Sequence, residues 1–94
     1  MSEFVFTWDK EKAKLNYQKH GIKFSEAETV FNDDNLIYKM DIKHSVAEER
    51  FIAIGMSAKP RVLMVCHCIK YGIVLRIISA RPANQTEILE YERS

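Results

Sequence analysis

Phe4, Phe6 and Trp8 alternate with Val5 and Thr7, and this period of two predicts a strand over residues 3–8. Asp9 is placed as a helix N-cap and Gly21 as a stop, which predicts a helix over residues 10–20. Its face of Ala13, Asn16, Tyr17 and His20 is only half apolar, and Leu15 points away. Such a helix packs weakly or borders a site. Ser25 and Glu28 have capping-box spacing ahead of the apolar stripe Ala27, Val30 and Phe31, so a second helix is expected there. Asn32-Asp33-Asp34-Asn35 reads as a turn, and Leu36 to Ile42 as a strand.

Phe51 to Met56, Val62 to Ile69 and Ile73 to Ala80 are three apolar runs of strand length. Ser57-Ala58-Lys59-Pro60 and Lys70-Tyr71-Gly72 join them as hairpin turns. Connections this short leave no room for a crossover, so these strands pair antiparallel. Asn84 with Glu87 opens a last helix carrying Ile88, Leu89 and Tyr91. The order is β-α-α-β-β-β-β-α. It predicts an α+β fold, a curved antiparallel sheet with two N-terminal helices and one C-terminal helix, as one domain over residues 1–94.

The chain has 94 residues, 47% hydrophobic and 29% charged, with a net charge of +1. This composition excludes intrinsic disorder and nonspecific polycation behaviour. The apolar runs are too short to span a membrane, and the N-terminus lacks a basic stretch followed by an apolar one, so no signal peptide is read. Cys66 and Cys68 make no disulfide framework, and a reducing cytoplasm is the expected compartment.

The small net charge hides an asymmetry. Residues 24–49 carry two lysines against seven acids, whereas residues 50–94 carry seven basic residues against three acids. Between Arg50 and Arg81 there is no carboxylate side chain, so Arg50, Lys59, Arg61, Lys70, Arg76 and Arg81 can build a local anion-binding surface or a solvated sheet face.

Strict alternation on the last strand places Arg76 with Val74 and Ile78 on one face. It places Ser79 and Arg81 with Leu75 and Ile77 on the other. Arg76 then either pairs with Glu48, Glu49 or Asp41, or aims its planar fork at phosphate. His44 to Arg50 collects an imidazole, two carboxylates and a guanidinium in seven residues, which suits proton transfer or a polar loop capped by Ser45. Cys66-His67-Cys68 has the residue types of a metal motif. On a strand its two thiols face one side and the imidazole the other, so core packing is the expected role. Trp8 and Tyr71 can stack on bases or pack, and His20 with Asn16 can form a site pair or a structural contact. Tyr91 is expected to pack.

Taken together, the motifs resemble the BrnT family of bacterial toxins. The resemblance runs through Phe6-x-Trp8-Asp9-x-x-Lys12, Asn16-x-x-Lys19-His20-Gly21-Ile22-x-Phe24 and Glu26-Ala27-x-x-Val30-Phe31. It continues through Asp41, His44-Ser45, Glu49-Arg50-Phe51, Ile54-Gly55, Arg76 to Arg81, and Glu87 to Tyr91. Asp33-Asp34 stands where the family commonly has Asp-Pro, Pro82 where it often has a basic residue, and Cys66-His67-Cys68 is particular to this chain.

The resemblance implies a RelE-like fold and the toxin role in a type II toxin–antitoxin pair. It implies an endoribonuclease that cleaves RNA and arrests translation. The implied partner is a BrnA-like ribbon-helix-helix antitoxin, through which alone the complex contacts operator DNA. No cofactor and no metal are expected. Cleavage by 2′-hydroxyl attack needs a base, an acid and cations that stabilise the phosphorane. Arg76 and Arg81, with Arg50 in support, are assigned to charge stabilisation, and Glu49 and His44 to proton transfer. Lys10, Lys12, Lys59 and Arg61 are assigned to RNA backbone contacts. The assignment requires the guanidinium groups of the last strand to converge on one solvent-open pocket. A non-catalytic module that binds the antitoxin and supports operon autorepression is the alternative.

Overall fold

The structure, a computed structural model, describes residues 4–94. Glu3, the first residue of the expected N-terminal strand, lies outside them. Strand β1 spans Val5–Thr7, helix α1 Lys10–His20 and helix α2 Phe24–Thr29, which runs into a 3-10 turn at Val30–Asn32. Strand β2 spans Ile37–Met40, and a 3-10 turn follows at Ile42–His44. Strands β3 (Phe51–Met56), β4 (Val62–Lys70) and β5 (Val74–Pro82) precede helix α3 (Gln85–Arg93). The α+β element order is the one the hydrophobic pattern predicts.

The five strands lie in the order β1-β5-β4-β3-β2. β2 to β5 pair antiparallel in chain order, β3 to β5 through tight turns and β2 to β3 through the loop 41–50, whereas β1 runs parallel to β5. The antiparallel expectation rested on hairpin length, and that argument does not reach β1, whose partner is nearly seventy residues away. α1 forms as its caps dictate. The Asp9 carboxylate accepts from the Glu11 and Lys12 amides, and Gly21 closes the helix at φ 72°, a conformation that needs no Cβ.

α2 starts two residues earlier than its capping-box spacing suggests. Lys23 is the N-cap and makes no side-chain cap bond. Phe24 is buried and sits edge-on to Trp8, which draws it into the first turn and leaves Ser25 inside the helix. The box at Asn84 and Glu87 does form at the start of α3.

The main core lies between α1–α2 and one sheet face. It joins Ile22, Phe24, Ala27, Val30 and Phe31 to Ala53, Leu63, Val65, Leu75, Ile77 and Ala80. Burying this set supplies the main driving force of the fold. Asn16 is the polar seam of that layer. Its amide donates to the carbonyls of Ile22 (3.0 Å) and Ala80 (2.8 Å), and its oxygen accepts from the Ala80 amide (3.0 Å). The half-apolar face of α1 is therefore a structural clamp rather than a site. α3 touches β3, while the rest of the second sheet face stays open to a cleft.

Candidate active site

The decisive local feature is a β-bulge. β4 and β5 pair Cys66 with Ser79 but His67 with Ile77, so Ile78 is an extra residue on β5. Directly paired residues share a face, so Arg76, Ser79 and Arg81 lie with Cys68, Cys66 and Met64 on the face turned away from the main core. This corrects the strict alternation expected for β5: Arg76 and Arg81 are on one side of the sheet. Alternation fails because one inserted residue inverts every side chain beyond it.

Ser79 lines a cleft of about 200 Å³ together with Asp41, His44, Arg50, Ile52, Met64, Cys66 and Ile78. The loop between β2 and β3 supplies the polar wall. The Asp41 amide bonds the Arg50 carbonyl at 2.7 Å, and the Ser45 hydroxyl donates to the Asp41 carbonyl and accepts from the Arg50 amide. That latch holds His44 beside Asp41, with Nδ1 2.9 Å from Oδ2. A carboxylate oxygen is an acceptor, so Nδ1 donates and Nε2 is the nitrogen left for exchange. Among the described residues, Arg50 Nε is a buried side-chain nitrogen with no hydrogen-bond partner. A desolvated guanidinium edge of this kind favours an anion. The Cys66 thiol is pushed up, chiefly by burial and then by the charge of Asp41, so it is inert in this cleft.

Arg76 and Arg81 flank Ser79, and each already holds a carboxylate. Arg76 donates to Glu48, the first partner named for it in the sequence reading, and Lys70 bonds the other Glu48 oxygen at 3.1 Å. Lys70 and then the arginine charges hold the Glu48 carboxyl below its ordinary range. Arg81 forks onto Glu87 with two 2.9 Å bonds. Burial works against the Glu87 charge, and Arg81 with the Asn84 amide outweighs it, so this carboxyl too titrates below its ordinary range. The two guanidinium groups share one sheet face, but neither lines the Ser79 cleft and each is held by a carboxylate, so the expected convergence on one open pocket is corrected to a common face.

The other sequence candidates scatter. Glu49 lies at a neighbouring cleft with Glu48, Cys68, Ile69, Lys70 and Tyr71, not at the His44 cleft. Lys10 and Lys12 sit in the first turn of α1, in the layer behind the opposite sheet face, and Lys59 sits in the β3–β4 turn. Arg61 has another occupation. Its fork binds both oxygens of the buried Glu26 at 2.8 and 2.6 Å, and Ser57 adds a third bond. Tyr91 packs as expected, donating to Asp33 at 2.6 Å.

Two contributors escaped the sequence reading, and a third was seen only in part. Ser79 was placed on the wrong face, because no residue type marks the bulge. Lys70 stood out in the basic stretch and in a turn, without its partner Glu48. Asp33 looked like a turn residue, but its carboxylate accepts from the Met56 and Asn35 amides as well as Tyr91, tying β3 to α3.

No curated protein matches the chain. One similar solved structure is the 1.1 Å crystal structure of the Brucella abortus ribonuclease toxin BrnT. It is 24% identical with a TM-score of 0.61, over 90% of this chain and 100% of that one. That likeness supports the fold. The family model described as the ribonuclease toxin BrnT of type II toxin–antitoxin systems matches residues 8–87, so the chain belongs to the BrnT family of ribonuclease toxins.

Proposed function

We propose that the chain cleaves RNA without a metal ion, by attack of a 2′-hydroxyl on the adjacent phosphate, and that this arrests translation in the cytoplasm. The observation that carries the reading is the bulge at Ile78, which gathers Arg76, Ser79 and Arg81 on the face that also holds Arg50 and the Asp41–His44 pair. The attacking oxygen forms its bond to phosphorus as the bond to the 5′-oxygen breaks, leaving a 2′,3′-cyclic phosphate and a 5′-hydroxyl. His44 Nε2 moves the proton, and Asp41 orients it and stabilises the imidazolium. Arg50, Arg76 and Arg81 stabilise the charge that builds on the phosphorane. To engage, Arg76 and Arg81 exchange Glu48 and Glu87 for phosphate oxygens, or share the fork with them. Glu49 borders the path of the RNA, and Lys59, Lys10 and Lys12 are left for outer backbone contacts.

Family membership implies an antitoxin partner. A ribbon-helix-helix antitoxin bearing an acidic segment fits the chemistry, because Glu48 and Glu87 already demonstrate carboxylates seated on Arg76 and Arg81. The test is cleavage of RNA by the antitoxin-free protein in excess EDTA, with product ends analysed. Cyclic phosphate ends in chelator are expected. Loss of activity on chelation overturns metal independence, and binding of antitoxin without any cleavage favours the non-catalytic module.

A further inference from the structure

The β4–β5 turn departs from what its own sequence should want. Tyr71 has φ 54° and Gly72 φ 77°, and the Ile73 amide bonds the Lys70 carbonyl at 3.3 Å. Three residues lie between the paired Lys70 and Val74, and two positive φ values at the centre of the Lys70–Ile73 turn are the signature of type I′, where asparagine or glycine is the unstrained choice. A bulky aromatic residue in the left-handed region is an outlier. Its ring gains nothing from packing, since Tyr71 is 94% exposed. The fold thus tolerates strain to hold an aromatic ring in solvent, and such strain gathers at functional positions.

That ring borders a second cleft, of about 310 Å³, which Lys70, Glu48, Glu49, Cys68 and Ile69 also line. Lys70 and Arg76 meet there on the two oxygens of Glu48. Cys68 lines this cleft and Cys66 the His44 cleft, so the two adjoin along β4. Two residues of strand separate them, roughly 7 Å.

We infer that the Lys70–Tyr71 cleft is a single-stranded RNA subsite for a nucleotide flanking the cleaved bond: Tyr71 stacks on its base, Lys70 takes its phosphate while Arg76 stays with the scissile one, and Glu48, which bridges the two cations, is the resident anion that the RNA displaces. The inference rests on the ribonuclease reading. Three features converge on this ligand chemistry. A strained, exposed ring offers a sequence-tolerant stacking surface. Two cations from adjacent strands already bind one two-oxygen anion, which is the recognition a phosphate requires. Glu48 is the only one of the three charged groups that an incoming phosphate repels, and it hangs from the irregular stretch between the Ser45 latch and β3 rather than from a strand.

The test is equilibrium binding of a 2′-O-methyl RNA hexamer of mixed sequence, which cannot be cleaved, to wild-type protein, Tyr71→Asn and Glu48→Gln. Asn suits the left-handed turn position, so Tyr71→Asn keeps the hairpin while removing the ring. Its affinity is expected to fall about tenfold. Glu48→Gln removes the competing charge. It is expected to tighten binding several-fold and to steepen the salt dependence by roughly one phosphate contact. Cleavage of natural RNA by the same preparations separates the two claims. If wild type cleaves but Tyr71→Asn binds within twofold of it, the subsite is overturned and the nuclease stands. If wild type neither binds the hexamer nor cleaves, both fall.

Discussion

Two of the three arginine–glutamate pairs among the described residues divide this molecule. Arg61 and Glu26 join the β3–β4 turn to α2, with the carboxylate buried, both its oxygens taken by the fork and a serine completing it. Arg76 and Glu48 lie on the opposite sheet face, where the carboxylate is shared with Lys70 and more open to water. The residue types match, and burial and partner count separate the roles. A carboxylate as deeply buried as Glu26 resists exchange, because parting it from Arg61 leaves its own charge buried and unpaired. A shared, accessible one is exchangeable for another anion at small cost. Structural polarity is therefore concentrated on the α1–α2 side and reactive polarity on the cleft side.

The largest effect sharpens the reactive side. Arg81→Ala removes a guanidinium from the developing phosphorane and is expected to lower single-turnover cleavage about 10²–10³-fold with the fold intact by circular dichroism. A fall of only a few-fold would take Arg81 out of the chemistry. Next comes the structural side. Asn16→Ala leaves the Ala80 amide and two carbonyls unpaired in the core. It is expected to cost about 3 kcal/mol in urea unfolding, with cleavage by the remaining folded protein unchanged.

His67 gives the pH counterpart. It is fully buried, its Nδ1 donates to the Val65 carbonyl, and its Nε2 accepts from Tyr38 at 2.7 Å. Burial pushes its pKa down from 6.5 to about 4. The unfolded chain therefore binds the proton first, and stability present above pH 6.5 is lost as pH falls towards 4. Wild type should lose about 2 kcal/mol between pH 7 and pH 5, and His67→Gln should lose almost none of it. Equal losses in both would show that His67 is not the titrating group. The smallest effect belongs to Asp41→Asn, which removes the charge that orients and stabilises His44. It is expected to slow single-turnover cleavage about tenfold, and an unchanged rate would take Asp41 out of the proton transfer.

The element order was legible because each strand of the sheet carries its own apolar signal and each turn its own breaker. The parallel seat of β1 was not, since strand direction across nearly seventy residues leaves no local trace. Arg76 and Arg81 stood out through the carboxylate-free stretch around them, whereas their common face depends on Ile78, an ordinary β-branched residue. In the sequence, Asn16 reads as a partner of His20, Asp33 as a turn residue and Glu26 only as part of the family motif. A polar side chain becomes structural through the partners the fold brings to it, and those lie 23 to 64 residues away. Cys66 and Cys68 do face away from His67, as strand periodicity demands.

The comparison between the two pairs is tested most directly by measuring Arg76→Ala and Arg61→Ala side by side, for RNA cleavage in excess EDTA and for the midpoint of urea unfolding. The account predicts that Arg76→Ala loses cleavage at least a hundredfold while keeping its midpoint, and that Arg61→Ala lowers the midpoint while its folded fraction cleaves normally. The reverse pattern, or equal loss of both properties in both variants, would contradict it.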